Sequence, residues 1–101
     1  MNQLDDAYQQ TIDNIAYQLV GLTSMELLDR PDYGTLETFI GKEKVKIGFW
    51  HWQMNDDLHH IVFKASRREF FFLHKSYING VVFSALSPAR RMTNEEIGLH
   101  D

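Results

Sequence analysis

Cysteine is absent from the 101 residues. That excludes disulfides and thiolate metal sites, and it fits a reducing compartment. No apolar run approaches the roughly 20 residues that a membrane-spanning helix needs. The first six residues, Met1-Asn2-Gln3-Leu4-Asp5-Asp6, contain neither a basic region nor an apolar stretch. No signal peptide is therefore expected, and the expected location is cytoplasmic. Three chemical signatures are missing as well: a glycine-rich phosphate loop, a nucleophile elbow and a His-Glu-x-x-His pair. No catalytic residue, cofactor or metal is assigned.

Aromatic residues are plentiful and unevenly placed. Nine of the thirteen lie between Val45 and Leu86. Charge is uneven too. Residues 1–40 hold seven acids against one base, residues 41–92 nine bases against four acids, and the last nine residues three acids. The simplest consequence is attraction between an acidic N-terminal element and a basic region behind it. The length suits one domain, residues 1–101, with one substantial core.

Leu4, Tyr8, Ile12, Ile15, Leu19 and Leu22 recur at spacings of three and four, the stripe of an amphipathic helix. Gly21 marks a stop or kink. Thr23 with Glu26, and Thr93 with Glu96, have capping-box spacing and predict two short helices. Between them five strands are read at 35–40, 45–53, 58–66, 70–78 and 81–86. The turns are Gly41–Lys44, Met54–Asp57, Ser66–Glu69 and Asn79-Gly80. Asn79-Gly80 is the strongest hairpin signal, since both residues tolerate positive φ. Residues 67–79 also fit a capped helix; three consecutive phenylalanines favour strand. The expected fold is α+β: an N-terminal helix packed on one face of a four- to five-stranded antiparallel meander, with a short C-terminal helix.

Even-length turns then set each sheet face. One face collects Trp50, Trp52, Ile61, Phe63, Ala65, Phe70, Phe72, His74, Ile78, Val81, Phe83 and Ala85, and should lie under the helix. The other aligns His51, His60, Lys75 and Ser84 in a polar row, beside apolar Phe49, Val62, Phe71, Leu73 and Leu86. His59 and His60 are adjacent and must point to opposite faces. An apolar second face needs a cover: the C-terminal segment, a second copy or a ligand.

The sequence therefore points first to a small non-enzymatic binding or interaction module, a homodimer that self-associates through Phe49, Val62, Phe71, Leu73 and Leu86. A second reading is a ligand-binding protein or enzyme. Its pocket would lie around His51, His60 and Lys75 with Ser84, taking a small anionic ligand. A third is an acidic inhibitor or immunity-type protein that meets a basic partner. Nucleic acid is disfavoured by the net charge of −4 and by the lack of an RNA-binding aromatic motif.

Overall fold

A computed structural model describes residues 3–68 and 73–101. The architecture is the expected α+β arrangement. Helix α1 spans Gln3–Tyr17 and a short α2 spans Ser24–Leu28. Five strands follow: β1 Tyr33–Ile40, β2 Glu43–Gln53, β3 His59–Arg68, β4 His74–Ser84 and β5 Ser87–Arg91. Helix α3, Asn94–Gly98, comes last. The strands pair antiparallel in sequence order, β1-β2-β3-β4-β5.

Local signals account for most of the boundaries. Both capping boxes form: the Thr23 and Thr93 side chains accept from the N–H groups of Glu26 and Glu96, whose carboxylates reach back. Two acids in its first turn, Asp5 and Asp6, suit the dipole of α1. Of the expected stripe Tyr8 and Ile12 are buried in α1, and Ala16, outside it, is buried with them. These join Leu19, Ile47, Ile61, Phe63, Val81 and Phe83 in the main core. Gly41, at φ 63°, makes the tight β1–β2 turn. Residues 67–68 and 74–79 are strand, which decides against the helical alternative there.

The register corrects the expected sheet faces. Gln53 pairs with His59, not with Leu58. The β2–β3 loop thus runs from Met54 through Leu58, one residue longer than the turn read from the sequence. Asn55 causes this: its Oδ1 accepts from the N–H groups of Asp57 and Leu58, both at 2.9 Å. Met54 N–H also closes on the Leu58 carbonyl at 2.8 Å. A one-residue slip turns a whole strand over. Ile61, Phe63, Ala65, Val81 and Phe83 lie under α1 as expected, but β2 is inverted. Val45, Ile47 and Phe49 enter the helix-side core, while Trp50 and Trp52 go to the second face. Phe70 and Phe72 lie outside the described residues.

Asn79-Gly80 is not a turn. Both residues are buried inside β4, with Gly80 opposite Val62 and without positive φ. The glycine serves a close backbone approach: a Cβ there would stand 2.1 Å from the Ile61 carbonyl oxygen. Asn79 is held by α1, its Nδ2 donating to Asp13 at 2.7 Å. The β4–β5 turn falls at Ala85-Leu86, between Ser84 and Ser87.

Candidate functional site

The inverted β2 separates the polar row. His51 lies opposite Ile61, and Trp52 lies opposite His60, so the two histidines occupy opposite faces of the sheet. Lys75 lies on the helix face and donates to Asp5 Oδ2 at 2.6 Å. Ser84 stands at the end of β4, where its Oγ accepts from Leu86 N–H. The apolar set is also divided. Phe49 packs against Phe63 in the core, and Val62 is fully buried under Met92 and Ile97. Leu73 and Leu86 are exposed at opposite ends of β4. Phe71 lies outside the described residues. The residues read from the sequence as one self-association face are thus dispersed, and of them the C-terminal segment covers Val62.

Two imidazole pairs take the place of the row. As alternation requires, His59 and His60 part to opposite faces. On the helix face His51 Nε2 and His59 Nδ1 stand 2.8 Å apart, and the His59 ring stacks on Phe83. Asp32 lies 3.5 Å from His51 Nδ1. On the second face His60 Nδ1 and His100 Nε2 are also 2.8 Å apart. Each pair shares one N–H, with one ring donating and the other accepting. Burial pushes the pKa values of His59, His60 and His100 down; the neighbouring ring adds to the fall at His59 and His60. At 2.8 Å the nitrogens are hydrogen-bonded; two ligands at about 2.0–2.1 Å around one tetrahedral zinc would stand farther apart. Among the described residues no group of three or more His, Asp or Glu side chains is placed to hold a metal.

The sequence signal for the His60–His100 pair was hidden by distance along the chain. The capping box at Thr93 starts α3, and Glu96 within it binds Arg90 through two bonds of 2.8 and 2.9 Å. That fork draws the Glu96 pKa down to about 2. It also fixes α3 against β5, which carries His100 over His60.

The charge asymmetry resolves inside the chain. Asp5 on α1 accepts from Tyr77 Oη, from Arg67 at 2.7 Å and from Lys75 at 2.6 Å. These donors hold its carboxyl far below the usual range. Lys44 pairs with Glu37 at 2.8 Å. The acid that opens the chain is therefore a clasp between helix and sheet.

An open surface rich in aromatic side chains remains at β1 and β2. Trp50, Trp52, Met54, Leu99, His100 and Asp101 line a cleft of about 270 Å³ between β2 and the chain's end. Tyr33, opposite Trp50, is 80% exposed; Phe39 on the same strand is 68% exposed and Trp52 is 50% exposed. Comparison with protein families, with curated proteins and with solved structures finds no match.

Proposed function

We propose that this chain is a small non-enzymatic interaction module that forms a homodimer, and that its contact surface lies on the β1 side of the sheet. One observation carries this reading. Among the described strand residues of the second face, the exposed large apolar side chains are Tyr33, Phe39 and Trp52, all on β1 or on β2 beside it, with Met54 and Leu99 exposed next to Trp52. Helix α3 has already covered Val62, Ile78 and Val82. His51 and His60, in turn, are each paired with another histidine instead of converging with Lys75 on a substrate-sized space. Sedimentation equilibrium tests the reading across concentrations on the order of 1–100 micromolar, because self-association follows mass action. The expected result is a concentration-dependent dimer. A monomer throughout rejects it.

Trp50 supports a second reading. Its Nε1 is the one buried side-chain polar atom without a partner among the described residues, and its ring lines the cleft. A buried indole N–H ordinarily finds an acceptor. A small ligand with an apolar body and one acceptor atom would satisfy it by opening the cleft onto this nitrogen, which solvent does not reach. Quenching or shift of tryptophan fluorescence by such compounds, lost in Trp52→Ala, is the expected result; no change at millimolar ligand rejects it.

A further inference from the structure

The two edges of the sheet are finished differently. Strand β5 is short, contains Pro88, and is closed on its outer side by the chain itself: Gly21 N–H donates to the Ala89 carbonyl at 2.8 Å, and Ala89 N–H to Leu22 at 2.9 Å. Strand β1 has eight residues, Tyr-Gly-Thr-Leu-Glu-Thr-Phe-Ile, with no proline and no lysine. It ends the strand order, and no described residue takes a main-chain hydrogen bond from its outer side. A long edge without such protection is a template for another strand.

We propose that β1 pairs antiparallel with β1 of a second copy, joining two sheets into one, with Leu36 opposite Leu36. This rests on the homodimer reading above and gives it a geometry. The main chain restricts the register. His51 N–H donates to the Asp32 carbonyl at 2.7 Å. By alternation, Gly34, Leu36, Thr38 and Ile40 then bond inward to β2, and Tyr33, Thr35, Glu37 and Phe39 turn their N–H and C=O groups outward. Only registers that place outward residues opposite outward residues can form. Among these, Leu36 on the two-fold axis sets Tyr33 opposite Phe39, Thr35 opposite Glu37 and Gly34 opposite Thr38. The next register sets Glu37 against Glu37, a like-charge pair that disfavours it. The register in the other direction leaves Phe39 beyond the paired segment.

The chosen register also accounts for the exposed rings. Tyr33 and Phe39 point to the same face of β1, the face that carries Trp50 and Lys44 on β2. Across the axis each Tyr33 would cover a Phe39 of the other copy, twice per dimer. A cross-strand aromatic pair of this kind is a favourable sheet contact. About eight main-chain hydrogen bonds would form between the copies, two for each bonded pair.

Single-cysteine variants test this cleanly, since the chain has no cysteine of its own. In the proposed register the two Leu36 positions form a non-hydrogen-bonded pair with Cα atoms about 4.5 Å apart, within disulfide reach. Leu36→Cys should form a covalent dimer under mild oxidation at least about tenfold faster than Thr35→Cys, which would face Glu37 and not itself. Preferential linking of Glu37→Cys, or no preference for position 36, overturns the register. Thr35→Pro removes an outward N–H while leaving the β1–β2 bonds in place, and should weaken the dimer at least about tenfold. Should that variant fail to fold, Tyr33→Lys with Phe39→Lys changes only exposed side chains and should weaken the dimer likewise. A wild-type dimer that survives these changes overturns the β1 contact and its placement on the β1 side, and leaves only self-association itself standing. A wild-type monomer overturns both.

Discussion

The two faces of the sheet are covered by helices of unequal size, and they are held by different physics. On one face the fifteen-residue α1 brings Tyr8, Ile12 and Ala16 into a core that draws on all five strands. On the other the five-residue α3 rests on a small cluster of Val62, Ile78, Val82 and Met92. So short a helix has little intrinsic stability. Its capping box, the Arg90–Glu96 fork and the His60–His100 bond fasten it instead. Apolar area secures the first cover; the second depends on polar contacts that respond to pH.

The largest perturbation would remove the difference by breaking the sheet beneath both faces. Gly80→Val places a side chain against the Ile61 carbonyl, where even a Cβ would stand at 2.1 Å. The backbone must shift, at an expected cost of about 4 kcal/mol or more. Denaturant unfolding checks this; a cost below about 1 kcal/mol would show that β4 can move away from β3.

Next, the faces can be compared by truncation. Phe63 is 1% exposed on the helix face, and Phe63→Ala should cost about 3–5 kcal/mol. Val62, its neighbour on the other face, is as deeply buried but smaller, and Val62→Ala should cost about 2 kcal/mol. Equal costs in chemical denaturation would erase the proposed inequality between the two cores.

The smallest effect is the most selective. His60 and His100 have lowered pKa values in the folded chain. Their contribution is present above the reference value of about 6.5 and is lost as pH falls below it, because the unfolded chain then binds protons more readily. Glu96 adds a second loss, from its reference value of 4.5 down toward about 2. On the helix face the Asp5 clasp lasts to lower pH, since its carboxyl is held well below 3.8. His59 also weakens that face below about 6.5, but it anchors no separate element there. Between pH 7 and pH 5 the amide resonances of α3, with the Trp52 indole packed on His100, should move toward unfolded positions while those of α1 stay. The expected cost is about 1 kcal/mol, and His100→Ala should abolish most of the pH dependence. Equal movement of α1 and α3 would contradict it.

Short-range rules determined much of this protein from the sequence by itself. The three- and four-residue spacing of apolar positions placed α1 and its buried face. Two Thr-x-x-Glu boxes placed α2 and α3, and alternation along a strand sent His59 and His60 apart. Each depends on neighbours within about four residues, so no distant contact is needed to read it. The relation between strands was decided by the tertiary structure. Apolar residues occur on both faces of β2, so burial could not say which face meets α1. The choice passed to the β2–β3 loop, where Asn55 draws Leu58 into the turn and shifts the register by one. That shift separated His51 from His60 and exposed Trp52. Asn79-Gly80 has the composition of a turn, yet it is a strand segment because the β3 backbone and Asp13 need a missing Cβ and an amide there. Pairing His60 with His100, forty residues away, likewise required the C-terminal helix to close over the sheet.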